Sequence, residues 1–381
     1  MRARHPHIKA RVLTVFLLVG LPLLAIGFGI ALAIGRQQLS SQFGQHLEES
    51  AQQTAAAVDA YVYRRLVDVS LLGRTPEIRR AAQAGSALPF DRAKAVTAGA
   101  APVSLDPPAS RFLADIVAHD TIYRELVLTD RHGRVVAASS LPSTAFLGEA
   151  DWWKAVSEDS GRGRVTMSDV TWDDRARIHA IAFAVPVPAP ESEALAGVLK
   201  VVVDSRELLA MVGGVQLGAS GEAVLLRDNG SVVFARRQTD PNARFFALTP
   251  LLERVAVMRQ GGPEAGTFFR AASPTDGSPF LVGLAASQLG RSYPNASWLV
   301  AVSQSEAELL APVRALGWYL FTVIALVTLL VLALALYFSM RLEAPQVDVD
   351  MHLVRHPPLA HVGDVQGQEE AVSEPTAVRG K

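Results

Sequence analysis

Two long runs of uncharged, apolar residues bracket this chain, and they constrain its fold more than any other feature of the sequence. The first run covers residues 12–34. As a helix rising about 1.5 Å per residue it reaches about 34 Å, which is enough to cross a hydrocarbon core of roughly 30 Å. The second run covers residues 316–340 and carries aromatic residues at both ends, where rings favour the membrane interface. Both runs are predicted to be transmembrane helices.

The basic residues before the first run predict the orientation of both helices. They are Arg2, Arg4, Lys9 and Arg11. The positive-inside rule places residues 1–11 in the cytoplasm, residues 36–312 outside it, and residues 341–381 in a cytoplasmic tail. The composition of this tail predicts disorder. We therefore expect a multi-pass protein of the inner (plasma) membrane, which has the lipid bilayer as a partner and an extracytoplasmic main domain.

A cleaved signal peptide is the alternative interpretation of the first run. Ala31-Leu32-Ala33 resembles a cleavage site, and basic residues precede the apolar segment. The apolar segment is longer than the usual signal-peptide core of about 7–15 residues, which favours a retained helix.

Charge and composition argue against several classes of function. The chain has 36 basic and 37 acidic residues and a formal net charge of −1, so no basic field points to nucleic-acid binding. It has no cysteine, which removes disulfides, thiolate chemistry and cysteine-ligated metals. The glycine pairs at 161–163 and 261–262 match neither dinucleotide-binding nor Walker A patterns and indicate turns. We expect no enzyme activity, no catalytic residues and no cofactor.

A metal site is not expected either. The histidines with ligand-like spacing, His352, His356 and His361, lie in the tail, which Pro357-Pro358 interrupts. A segment without a fold does not fix the ligand geometry that a metal requires.

A long amphipathic helix is predicted to continue out of the first membrane helix. Apolar or small residues recur at helical spacing from Leu39 to Leu72, until Gly73 and Pro76 end the pattern. Such a helix packs against its own domain, and it is compatible with a dimer stalk, so a homodimer is a possible assembly.

Two β-hairpins repeat at a spacing near one hundred residues. In the first, residues 125–130 and 134–138 flank a turn at Gly133; in the second, residues 222–228 and 231–235 flank a turn at Gly230. A strand leading into a helix also recurs, at 199–209 and at 299–309. The repeats indicate a duplicated module, and therefore an α+β fold in which two antiparallel sheets follow one long helix.

The order of these elements resembles a known family. A membrane helix and a long helix precede the strand Leu126 to Ala138, the pair Trp152-Trp153, the segment Val165 to Asp169 and the strand Gly197 to Asp204; a second lobe and membrane helix follow. This order is similar to that of double Cache (dCache) sensor domains. The resemblance implies tandem PAS-like lobes, a distal lobe at about 110–212 that holds the ligand, a proximal lobe at about 217–304, and a role in signal reception.

The distal lobe contains aromatic and acidic residues suited to a small polar ligand. Carboxylates beside aromatic faces favour an ammonium group through ion pairs and cation–π contacts. The tryptophans have an alternative role in the hydrophobic core. The candidate ligand-binding residues are Trp152, Trp153, Asp169, Asp173, His179 and Asp204.

The resemblance also argues against a standard amino acid as the ligand. Amino-acid-binding relatives place an arginine two residues before the first aromatic residue, where this chain has Ala150, and commonly a tyrosine where it has Trp153. Asp204 matches the family's aspartate that meets an ammonium group, although capping the helix after Ser205 is an equal alternative. We expect an amine or another small organic molecule.

The expected function is a membrane-bound sensor that signals through its membrane helices. Residues 340–345 resemble the opening of a HAMP linker, and the remaining tail is too short for a domain core. The sequence therefore predicts a separate cytoplasmic or membrane output protein. The alternatives are a membrane-anchored binding or scaffold protein, and a remnant of a sensor kinase, cyclase or chemoreceptor that has lost its output domain.

Overall fold

The computed structural model describes residues 6–91, 105–158, 163–174, 177–236, 251, 253–256, 268–273 and 277–341. The start of the predicted N-terminal segment and the predicted tail after Arg341, with its three histidines, lie outside these residues. The chain forms two compact units. Of the described residues, those up to Leu17 and those from Leu326 onward make one, and those within Leu18–Ala325 make the other, which contains both sheets described below.

Helix α1, Pro6–Gly73, is the long N-terminal helix that the sequence predicts. One face of its second half is buried in the core, at Leu47, Ala51, Val58, Val62 and Val69. Burying each of these valines and leucines contributes roughly 1.5–3 kcal/mol. The helix ends where the pattern predicts, and Thr75 Oγ1 donates a hydrogen bond of 2.9 Å to the carbonyl of Leu72, near the C-terminus of α1.

In the described part of the chain, the first sheet contains six antiparallel strands. They are β1 (Tyr123–Asp130), β2 (Val135–Ala138), β3 (Thr166–Met167), β4 (Thr171–Asp173), β5 (Ile178–Pro188) and β6 (Leu195–Asp204). Their order is β2-β1-β6-β5-β3, and β4 also pairs with β5. The helices α2 (Pro76–Ala87), α3 (Pro107–His119) and α4 (Asp151–Ser157) accompany this sheet.

Five antiparallel strands form the second sheet within the described residues. They are β7 (Glu222–Arg227), β8 (Val232–Ala235), β9 (Phe268–Ala272), β10 (Pro279–Ala286) and β11 (Trp298–Ser305), in the order β8-β7-β11-β10-β9. Helix α5 (Arg206–Gly213) precedes the sheet, and α6 (Glu306–Leu309) and α7 (Ala311–Arg341) follow it. Two short 3-10 turns, Gln288–Arg291 and Pro294–Ala296, connect β10 to β11.

The two sheets share one topology, which confirms the predicted α+β class and the duplication. In each sheet a hairpin pairs with the last strand of the module, and that strand leads into a short helix: β6 into α5 and β11 into α6. Gly133 and Gly230 occupy the two hairpin turns with φ of +88° and +82°. These angles lie in the left-handed region, where glycine has no Cβ to clash.

One hydrophobic cluster joins the long helix to both sheets. The buried face of α1 packs with Leu128 and Phe183 of the first sheet and with Leu281 and Trp298 of the second. A shift of α1 therefore changes contacts with both sheets at once.

Gly85 lies within α2, close to the first sheet. Helix α2 continues to Ala87, and α3 begins at Pro107. The Val136 and Asp130 side chains occupy the space where a Cβ on Gly85 would lie. A larger residue at this position of α2 would therefore clash with the first sheet.

Within the described ranges, one helical segment is long and apolar enough to cross a membrane, Ala311–Leu334 of α7. It overlaps the second predicted membrane helix. The first predicted membrane helix, residues 12–34, lies within α1, where nothing is described of the side chains before Val19, and its membrane location stays a prediction.

A candidate ligand cleft

A cleft of about 570 Å³ lies beside the first sheet. Helix α4 and strands β3 to β6 form one wall, and the segment 292–295 between β10 and β11 forms part of the other. Both sequence repeats therefore contribute to its lining. The main side chains that line it are Asp151, Trp152, Arg164, Thr166, Met167, Thr171, Phe183, Lys200 and Tyr293.

Trp152 is the predicted site residue that lines this cleft. Its ring packs on the small cluster of Val156, Ala184 and Val198, and it stays partly exposed. The Lys200 ammonium lies 5.7 Å from the centroid of the ring, close enough for a cation–π interaction. Trp152 therefore packs against a hydrophobic cluster and also forms part of the cleft wall.

Trp153 has a different environment, although it is the next residue along α4. Its Nε1 donates a hydrogen bond of 3.0 Å to Thr129 Oγ1, and Thr129 is completely buried in β1. Trp153 does not line the cleft. The contact attaches α4 to the first sheet and so holds Trp152 in position.

Asp169 connects the two sequence repeats. Its Oδ1 accepts a hydrogen bond of 2.8 Å from Nε1 of Trp298, and its Oδ2 pairs with Nε of Arg227. Trp298 is almost fully buried at the start of β11, and Arg227 ends β7. The carboxylate lies outside the cleft lining and holds the segment after β3 against the second sheet.

Asp204 lies at the end of β6 with only 4% of its surface exposed. Its Oδ2 pairs with Arg124 Nη2 at 2.7 Å and with Arg206 Nε at 2.8 Å, while its Oδ1 accepts the Arg206 N–H at 2.9 Å. Burial by itself raises the pKa of this carboxyl, but the hydrogen bonds from both arginines outweigh it and lower the pKa below its usual value. Asp204 is outside the cleft lining and hydrogen-bonds the first turn of α5.

Asp173 and His179 lie at the edge of the first sheet, also outside the cleft lining. Trp172 pairs with His179 between β4 and β5, and the two rings meet edge to face with centroids 5.1 Å apart. Asp173 pairs with Ile178 in the same ladder. The six residues predicted from the sequence all belong to the described part of the chain, but they lie in several separate places.

Sequence reasoning missed three residues that give the cleft its polarity: Arg164, Lys200 and Tyr293. Burial raises the pKa of the Tyr293 phenol, which therefore stays protonated and able to donate a hydrogen bond at neutral pH. Among the described lining residues, Arg164 and Lys200 are cationic and Asp151 is anionic. Lys200 was visible in the sequence as the single charge inside an apolar strand, whereas Tyr293 is far away along the chain.

A second cavity, of about 650 Å³, lies between α1 and the second sheet. Its Asp59 carboxylate accepts hydrogen bonds from Ser287 Oγ at 2.5 Å and from the Gln288 N–H at 2.8 Å. These contacts attach α1 to the end of β10.

In the part of the chain that the structure describes, no group of three or more acidic or histidine side chains is arranged to hold a metal.

Solved structures of bacterial receptor domains resemble this chain. The ligand-binding domain of the Pseudomonas aeruginosa PAO1 amino acid chemoreceptor PctC, in complex with GABA, is 16% identical with a TM-score of 0.47; the match covers 69% of this chain and 100% of that one. The corresponding domain of Pseudomonas fluorescens CtaA with L-serine is 15% identical, with a TM-score of 0.44 and coverage of 70% and 98%. The sensory domain of Campylobacter jejuni Tlp3 (CcmL) is 12% identical, with a TM-score of 0.44 and coverage of 72% and 98%.

No protein of curated function matches the sequence. The sequence does match a family model. The model, described as a Cache domain (dCache_1), matches residues 35–313, which is most of the chain and includes both sheets. The match spans the elements on which the sequence resemblance was based, from the long helix to the start of α7. The chain therefore belongs to the dCache_1 family of Cache domains, which are extracytoplasmic sensor domains.

Proposed function

We propose that this protein is a membrane-anchored sensor that binds a small, carboxylate-bearing organic molecule in the cleft beside Trp152. The observation that carries the proposal is the Lys200 ammonium at the Trp152 ring, in the wall of a cleft within a Cache domain. An apolar wall with a few convergent polar groups is the usual form of a small-molecule site.

The charges around the cleft support a carboxylate. Lys200 is 3.9 Å from Glu125 Oε2, which is at the outer limit of an ion pair, and Arg164 is exposed at the rim. A ligand carboxylate between these cations gains charge-assisted hydrogen bonds, and the hydroxyls of Thr166 and Thr171 add polar partners. The amine expected from the sequence needs an anionic partner. Asp169 and Asp204 already pair with arginines within the protein, and among the described lining residues Asp151 is one anion beside two cations.

The position of the cleft suggests how binding reaches the membrane. A ligand there contacts the first sheet and the segment 292–295, which leads into β11. Strand β11 continues through α6 into α7, and α1 packs against both sheets. A small change at residues 292–295 is therefore coupled to both helices that we propose to cross the membrane. The homodimer and the separate output protein stay predictions.

The test compares carboxylates with matched amines. The full chain in phosphatidylcholine nanodiscs is mixed in turn with succinate, putrescine, β-alanine, propionate and propylamine, and the melting temperature is recorded. A ligand that binds the native state at one hundred times its Kd adds about 2.7 kcal/mol to the free energy of unfolding. We expect the carboxylates to raise the melting temperature.

Two variants and a control locate the site. Lys200→Gln and Trp152→Ala are expected to reduce the ligand-induced rise, because they remove the cation and the aromatic wall. Lys154→Gln is the matched control. Lys154 is on the same helix as Trp152, pairs with Glu149, which precedes that helix, and lies outside the cleft lining. A rise caused by putrescine or propylamine alone would favour the amine, and an unchanged rise in both variants would place the ligand elsewhere.

A further inference from the structure

Tyr293 brings a polar side chain of the second sequence repeat to the cleft at Trp152. It lies between the two 3-10 turns that connect β10 to β11. Its backbone N–H donates a hydrogen bond of 2.8 Å to the Leu289 carbonyl, and its own carbonyl accepts the Ala296 N–H at 2.9 Å. The ring packs against the hydrophobic cluster that joins α1 to both sheets. The backbone and the ring of this tyrosine are therefore both held in place.

Arg164 brings a positive charge of the first repeat to the same cleft. It precedes β3, and its backbone N–H donates a hydrogen bond of 3.2 Å to the carbonyl of Val156, near the end of α4. Burial raises the pKa of the Tyr293 phenol, and the guanidinium of Arg164 lies close enough to oppose that rise. The two side chains, one from each repeat, are thus electrostatic neighbours.

The polar ends of these two side chains are not used within the described part of the protein. The Tyr293 hydroxyl and the Arg164 guanidinium have no hydrogen-bond or ion-pair partner among the described residues. A protonated phenol donates one hydrogen bond, and a guanidinium donates several in a planar fork. A carboxylate has about four lone-pair sites on its two oxygens, so it can accept hydrogen bonds from both groups at once.

We propose that Arg164 and Tyr293 together hold the ligand carboxylate, so that the bound ligand links the first repeat to the second. We name this pair the inter-repeat clamp. Tyr293 directly precedes the 3-10 turn Pro294–Ala296 and β11, so the link ends at the strand that leads through α6 to α7. This inference rests on the proposed function, because it assigns part of the carboxylate binding in the same cleft to the second repeat.

The first experiment removes the hydroxyl and keeps the ring, with Tyr293→Phe. The full chain in phosphatidylcholine nanodiscs is titrated with succinate, β-alanine and propionate, and the Kd of each is obtained from the rise in melting temperature. We expect binding to Tyr293→Phe to be about tenfold weaker, which is the usual effect of losing one hydrogen bond to a charged group. Tyr63→Phe is the control, since Tyr63 is exposed on α1 and outside the cleft lining, and it should keep the wild-type Kd.

A double-mutant cycle tests whether the two side chains hold the same carboxylate. Arg164→Gln is expected to weaken binding as well. If both groups bind one carboxylate, the variant with both changes should lose less than the product of the two single losses, because the two interactions are coupled. Losses that simply multiply would place Arg164 and Tyr293 on different groups of the ligand and contradict the clamp.

Hydrogen exchange tests the link between the repeats. At saturating carboxylate, we expect the amides at positions 293 and 296 to exchange more slowly in the wild type but not in Tyr293→Phe, while α4 is protected in both. Protection at these positions that survives the loss of the hydroxyl, an unchanged Kd in Tyr293→Phe, or an equal loss in Tyr63→Phe would contradict the clamp and leave the cleft proposal standing. A wild type that responds to none of the three carboxylates would contradict the proposed function, and the clamp with it.

Discussion

Asp204 places a nearly buried carboxylate between two arginines, and its replacement is expected to affect stability more than ligand binding. Asp204→Asn keeps the side-chain shape and removes the charge. Breaking a buried ion pair typically costs about 3–5 kcal/mol. Since 31% of the Arg124 side chain and 69% of the Arg206 side chain are exposed, water replaces part of the lost interaction. We expect a loss of about 2 kcal/mol at neutral pH, measured by urea unfolding.

The pH dependence of this loss is a second readout of the same variant. The pKa of Asp204 is lowered in the folded protein, so its stabilising contribution is complete above the unfolded-state pKa of about 3.9. The contribution is lost as the pH falls through the lower, folded pKa. The difference in stability between wild type and Asp204→Asn should therefore shrink below about pH 4. An unchanged stability with a lost ligand response would instead place Asp204 in the ligand site, as the sequence predicted.

At the scale of single residues, the sequence did not indicate the long-range partners of the predicted site residues. Arg124 is 80 positions from Asp204, and Trp298 is 129 positions from Asp169. Local pattern contains no information about such pairs, because only the folded sheets bring them together. The cation in β6, by contrast, could have been noticed, since a lone lysine among valines and leucines requires a polar environment.

At the scale of elements, one glycine lets α1 approach the second sheet. A Cβ on Gly283 in β10 would overlap backbone atoms of Leu47 and Glu48 in α1. Gly283→Ala is therefore expected to push the helix away from the sheet and to cost about 1–3 kcal/mol, measured by thermal unfolding. Gly35→Ala is the control on α1, because nothing lies within 4 Å of the added methyl group. It should be neutral or slightly stabilising, and an equal effect of both changes would contradict this account of the contact.

The elements were largely predictable where their signals are local. Both hairpins combine short apolar runs that contain valine with a glycine turn, and both strand-to-helix segments repeat after about one hundred residues. The close approach of α2 to the first sheet was not predictable, because it brings Gly85 to within clashing distance of Val136 and Asp130, some fifty residues away, for any residue with a Cβ. A glycine in a helix costs about 1 kcal/mol relative to alanine, and local pattern does not show why this position takes it.

At the scale of the whole molecule, the proposed function requires that residues 1–11 and the tail 341–381 share one side of the membrane and that both sheets lie on the other. The chain has no cysteine, so single cysteines can be introduced without removing any native one. Glu191→Cys lies in an exposed position between β5 and β6 and is expected to react with a membrane-impermeant maleimide in intact cells. Ala3→Cys and Thr376→Cys are expected to react only after lysis, because the four basic residues before the first apolar run hold the N-terminus inside. Loss of the Ala3→Cys label together with a mature N-terminus near Ile34 would show signal cleavage, and then α1 would begin outside the membrane with a single span, α7, as its anchor.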